Sequence, residues 1–63
     1  MSLVDRDGLR ERGITFSAST LRDMERHGRF PKRIRLSRSR VAWLSVEIDK
    51  YIEDRAAERD AHA

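Results

Sequence analysis

The sequence predicts a mainly α domain carrying one small two-stranded β-hairpin, in the order α-α-β-β-α. Three observations lead there. Apolar residues recur at helical spacing in three stretches flanked by capping residues, and the period changes to two after Phe30-Pro31. The 63 residues leave room for one small domain, 1–63.

The first helix is expected over 5–12, with Asp5 at its start, Leu9 turned inward and Gly13 placed to end it. Gly8 in its interior weakens it by ~1 kcal/mol. Ile14 and Phe16 follow as a brief apolar turn. A second helix is expected over 18–27, with Ser17 as N-cap and Gly28 as the residue just past its end. Its spacing puts Ala18, Leu21 and Met24 on one side and Ser19, Arg22, Asp23 and Arg26 on the other.

Phe30-Pro31 breaks that helix, and the alternation of Lys32-Arg33-Ile34-Arg35-Leu36 and Arg40-Val41-Ala42-Trp43 reads as a hairpin over 32–43. Ile34, Leu36, Val41 and Trp43 are expected on its inner face. Arg33, Arg35 and Arg40 then fall on the outer face, with Arg38 at the tip. The last helix is expected over 46–58, capped by Ser45, with Glu47 and Asp49 in its first turn where the helix dipole favours negative charge. Leu44, Ile48, Tyr51 and Ile52 make its apolar stripe, and fraying is expected from Asp60 through Ala61, His62 and Ala63.

Charge is unevenly distributed along the chain. Residues 1–43 hold eleven Lys/Arg and five Asp/Glu, a net +6, while residues 44–63 hold three and six, a net −3. Within the basic part, Arg26, Arg29, Lys32, Arg33, Arg35, Arg38 and Arg40 fall in one stretch without any acid. Such a single-sign patch focuses its field on polyanions, and the planar guanidinium fork matches phosphate oxygens and guanine edges.

Other chemistries find little support. His27 and His62 are far apart, no spacing resembles a metal site, and there is no glycine-rich phosphate loop. Glu53 and Asp54 are adjacent on a helix and point apart, so they are no catalytic pair. The chain is therefore expected to be no enzyme and to need no metal or cofactor. The lack of cysteine excludes disulfides and thiolate sites and points to a reducing, cytoplasmic setting, on the nucleoid when bound to DNA. No apolar run approaches the roughly 20 residues that span a bilayer, and the first nine residues lack the apolar centre of a signal peptide.

A short helix, a turn, a second helix with a polar outer stripe and an arginine-faced hairpin together make a winged helix-turn-helix. A helix fits the major groove of B-DNA, and a basic ribbon lies along phosphates or reaches the adjacent minor groove. Arg22 and Arg26 are the candidates for guanine edges, Ser19 and Thr20 for shorter hydrogen bonds. Asp23 is placed either to accept from a cytosine amino group or to pair with Arg22 or Arg26 on the helix surface. Arg29, Lys32, Arg33, Arg35, Arg38 and Arg40 are candidate backbone contacts, the wing arginines otherwise serving as charges that keep a sheet edge from aggregating. Trp43 and Tyr51 share the phase of Val41 and Ile48 and are expected in the core, and Phe30 is expected as a plug beneath the wing.

The expected partner is double-stranded DNA. One module this small buries only about 600–1,000 Å² on a duplex, so self-association or cooperative binding at adjacent sites is expected. The acidic helix over 46–59 offers a surface to a neighbouring copy, to RNA polymerase or to a recombinase. A reading of another class makes the chain a protein-interaction module, such as a phage inhibitor or antitoxin, whose basic patch meets an acidic partner. That reading accounts for the charge but not for the helix-turn-wing order.

The run Gly28-Arg29-Phe30-Pro31-Lys32-Arg33-Ile34-Arg35-Leu36-Ser37, then Arg40-Val41-Ala42-Trp43 and Glu47-Ile48-Asp49-Lys50-Tyr51-Ile52, resembles the AlpA-type family of small prophage regulators. Leu9-x-x-x-Gly13-Ile14 and Ser17-x-Ser19-x-Leu21-x-x-Met24-Glu25 also fit, so the resemblance covers roughly residues 4–56. It departs at Tyr51, where a tryptophan is common. The resemblance implies a winged helix-turn-helix related to MerR-type DNA-binding domains and phage excisionases. It further implies either a transcriptional regulator or an excisionase-like directionality factor that bends DNA. By position it puts Ser19, Thr20, Arg22, Asp23 and Arg26 on the recognition helix and Arg33, Arg35, Arg38 and Arg40 on the wing.

Overall fold

The computed structural model describes residues 2–61, so His62 and Ala63 lie outside the described residues. The elements are β1 (Leu3–Val4), α1 (Arg6–Glu11), α2 (Ala18–Arg26), β2 (Ile34–Arg35), β3 (Val41–Leu44) and α3 (Ser45–Ala61). Three helices and a hairpin are present as expected, and the fold is compatible with a winged helix. β1 was not expected. It pairs antiparallel with β3, so the sheet has three strands in the order β1-β3-β2.

The two short helices are held by their ends. Asp5 caps α1 by accepting the Gly8 amide hydrogen bond at 2.8 Å, and Ser17 caps α2 by accepting that of Thr20 at 3.3 Å. Both stop in the same way: Ile14 N–H donates to the Leu9 carbonyl and Gly13 N–H to that of Arg10, while Arg29 donates to Met24 and Gly28 to Glu25. This paired closure needs a left-handed residue, supplied by Gly13 at φ +85° and Gly28 at φ +72°.

Gly8 has a different reason to be glycine. A Cβ there would stand 2.8 Å from Cγ1 of the buried Val4, so the missing side chain lets β1 lie against α1. Residue 8 thus weakens the helix and seats the strand.

The core is Val4, Leu9, Ile14, Leu21, Phe30, Trp43 and Ile48, with Met24, Val41 and Tyr51 packed against it. Every element except β2 contributes. Trp43 is fully buried at its centre, edge-on to Phe30 with ring centroids 6.0 Å apart, and Phe30 in turn meets Tyr51 at 4.8 Å. Truncating Trp43 to alanine would cost about 3–5 kcal/mol, comparable to the whole stability of a domain this small.

The structure corrects the expected hairpin. Ile34 is opposite Ala42 and Arg35 opposite Val41, and Leu36 N–H closes the turn on the Arg40 carbonyl. Opposed residues share a face, so Arg35 lies with Val41 and Trp43 on the inner face, while Ile34 and Leu36 lie on the outer one. Leu36 is 53% exposed. A register one residue off the expected one accounts for the whole reversal.

The last helix also differs from expectation. Ser45 is no separate cap: β3 runs directly into α3 at that residue, and Ser45 N–H donates to the carbonyl of Ser2 beside β1. The helix continues to Ala61, 17 residues or about 25 Å. Ile48 anchors it, Tyr51 is half-buried, and from Ile52 onward every described side chain except half-buried Ala56 is exposed. No helix of the described residues is long and apolar enough to cross a membrane.

Candidate nucleic-acid interface

The reversed register brings Arg33 and Arg35 toward the helices, while Arg40, opposite Leu36, borders both this side and the other side of the hairpin. An open groove lies between the N-terminal ends of α1 and α2 on one side and the hairpin on the other, and its arginines are Arg6, Arg22, Arg33, Arg35, Arg38 and Arg40. Arg22 comes from α2, Arg35 from β2, and Arg38 and Arg40 from the connection before β3.

Arg33 differs from the other five. It precedes β2 and was expected on the outer face; instead its guanidinium meets the buried Glu25 of α2. Glu25 Oε1 accepts from the Arg33 backbone N–H at 2.9 Å and from Nε at 3.1 Å, while Oε2 accepts from Nε at 3.0 Å and from Nη2 at 2.7 Å. The same guanidinium lies over the Trp43 ring, 5.4 Å from its centroid. Only 21% of the Arg33 side chain remains exposed. Sequence reasoning placed Glu25 in the family resemblance but gave it no role; it falls beside Leu21 on the inward side of α2, where an acid is seldom found without a partner.

The acids that line the groove are engaged: Glu25 with Arg33, Asp7 with Arg10 at 3.1 Å, and Asp5 as the cap of α1. Arg6, Arg22, Arg35, Arg38 and Arg40 make no ion pair among the described residues. The cations of α3 behave in the opposite way. Lys50 pairs with Asp54, Arg55 with Glu58 and Arg59 with Asp60. The cations of α3 are thus paired locally, whereas the groove holds five arginines with no such partner among the described residues, and their mutual repulsion opposes folding.

The other expected site residues are more scattered. Ser19, Thr20, Asp23 and Arg26 are exposed on α2. The hydroxyls of Ser19 and Thr20 join the Ser17 cap, at 3.3 Å and 2.9 Å from its Oγ. Asp23 pairs with neither Arg22 nor Arg26; its carbonyl accepts from His27 Nδ1 at 2.8 Å, and its carboxylate lies 3.6 Å from the same nitrogen. Lys32 is exposed before β2, and Arg29 lies away from the groove, beside Phe30, Pro31 and Tyr51 near α3. The acid-free run is therefore contiguous in sequence but divided in space.

Arg6 is the groove arginine that sequence reasoning passed over. Its signal was present, since a cation in the first turn of a helix opposes the helix dipole, but the flanking Asp5 and Asp7 masked it.

Residues 9–56, from the middle of α1 into α3, match the family model of the prophage CP4-57 regulatory protein AlpA. The chain belongs to the AlpA family. The matched span contains α2, the whole hairpin and the Glu25–Arg33 pair, so in this AlpA-family chain the groove is built almost entirely from family residues, with Arg6 just outside them. No curated protein and no solved structure gives a significant match to the chain.

Proposed function

We propose that this AlpA-family chain is a sequence-specific double-stranded DNA-binding regulator of transcription. The observation that carries the reading is the set of five arginines that have no carboxylate partner among the described residues and line one groove from α1, α2 and the wing. In this reading α2 enters the major groove with Arg22, Arg26, Ser19, Thr20 and Asp23 toward base edges. Arg35, Arg38 and Arg40 hold the phosphate backbone or the adjacent minor groove, with Arg6 as a further backbone contact and Arg29 and Lys32 adding to the field. The wing comes close enough to α2 for one stretch of duplex to meet both.

The experiment is selection of bound fragments from the source genome with purified protein at about 0.15 M salt, against excess random competitor. Enrichment of a short recurring site is the expected result. Sites beside promoters support transcriptional control, while sites at attachment sequences, with bending in a circular-permutation gel, support an excisionase-like role. Folded protein that enriches no sequence would overturn the proposal in favour of a protein partner.

A further inference from the structure

We infer that Glu25 is a positioning residue for DNA recognition: by clamping Arg33 it fixes the wing relative to the reading helix, so that both meet one duplex together. The inference rests on the DNA-binding reading above and adds a role to a residue that touches no DNA in it.

Three features of the pair support this. Among the described residues, the Glu25–Arg33 contacts are the only hydrogen bonds joining α2 to residues 32–44. Apolar packing of Leu21 and Phe30 against Trp43 brings helix and sheet together but is not directional, whereas a two-oxygen clamp on a planar guanidinium fixes both distance and angle. The clamp also takes in the backbone N–H of Arg33 at 2.9 Å, so it holds the chain itself where it enters β2, and not only a side-chain tip. From there to Arg35 and Arg38 is a few residues of short hairpin, whose second strand is tied to the core through Val41 and Trp43 and by pairing with β1.

The position of Glu25 argues the same way. A carboxylate beside a polyanion-binding groove opposes binding by its charge, and removing it makes the surface more positive. Electrostatics alone therefore predicts that Glu25→Gln binds DNA more tightly and with a steeper salt dependence, because Arg33 is released as a further cation. Positioning predicts the reverse sign. With the wing no longer held in phase with α2, Arg35, Arg38 and Arg40 lose their common path along the backbone.

The test compares wild type and Glu25→Gln on the duplex selected from the genome, measuring affinity and its slope against salt concentration. Positioning predicts binding weaker by about tenfold or more, the size of losing one matched base pair, and a slope shallower by ~2, because two or more wing arginines leave their phosphates together. Affinity equal to or above wild type, with an unchanged or steeper slope, would overturn the inference. If Glu25→Gln does not fold, Glu25→Met/Arg33→Met decides, since apolar residues of similar volume often replace a buried ion pair without loss of stability. Loss of Arg33 itself accounts for at most ~1 in slope; a loss of ~2 supports the clamp, and a loss within that limit at wild-type affinity rejects it. Should the wild type select no DNA at all, the functional reading fails and this inference fails with it, an outcome distinct from a binding wild type with an equally competent variant.

Discussion

Arg35 stands opposite Val41 across the hairpin, and that pairing turns its side chain toward α2, while Leu36, the next residue, turns away to lie near Leu3 and Ala42. Arg35, the last residue of β2, and Leu36 just after it thus make opposite predictions. Arg35→Ala should weaken binding to every duplex and lower the salt slope by ~1. Leu36→Ala should leave both unchanged, since the side chain is more than half exposed on the far face. Titrations of both variants at several salt concentrations check this, and equal losses would place the duplex on the wrong face of the wing.

The error in the expected register shows where the sequence stopped being legible. The ends of the first two helices were readable because their signals are local: Asp5, Gly13, Ser17 and Gly28 each act within one helical turn. The core was readable from periodicity, including Trp43, Tyr51 and the Phe30 plug. The faces of the hairpin were not. Apolar Ile34 and Leu36 argue for the inside by their own hydrophobicity, and only Glu25, eight residues before Arg33, pulls the alternate positions inward. That contact is tertiary, and no periodicity within residues 32–43 encodes it. β1 escaped for the same kind of reason, since a two-residue strand carries no pattern and exists only through β3 and the space that Gly8 leaves.

Removing one member of the Glu25–Arg33 pair should cost far more than a surface ion pair does. Arg33→Ala leaves a nearly buried carboxylate without its cation, a change worth about 3 kcal/mol or more. By contrast, Lys50→Ala breaks an exposed i,i+4 pair worth a few tenths, about 0.3–0.5 kcal/mol. Since a domain of this size has about 3–5 kcal/mol in total, Arg33→Ala should sit at the edge of unfolding at room temperature and Lys50→Ala should be essentially native. Urea unfolding followed by fluorescence reads this directly, because Trp43 is the single tryptophan and is fully buried.

Gly8→Ala should reverse the usual effect of its type. In an open helix the change gains about 1 kcal/mol, but here the new methyl meets Val4 Cγ1 at 2.8 Å, on a β-branched side chain with little rotamer freedom. A net loss of about 1–3 kcal/mol is expected from overpacking. The partner change Val4→Ala removes the obstructing atom, so the double variant should be more stable than the two single losses sum to. A strictly additive pair in urea melts would show that β1 does not rest on α1 at this point.

Arg6 should separate stability from binding. It is half-buried in the first turn of α1, where a positive charge opposes the helix dipole by about 0.3–1 kcal/mol. It also lines the groove with Arg22 and Arg35. Arg6→Gln keeps much of the stem and removes the charge, so the variant should unfold at a slightly higher urea concentration than wild type. The same change should weaken DNA binding and reduce its salt slope by ~1, as expected when one phosphate loses its cation. Opposite signs from one substitution would show that a residue unfavourable to its own helix is kept for the groove. A variant that is more stable and binds as before would limit the interface to α2 and the wing.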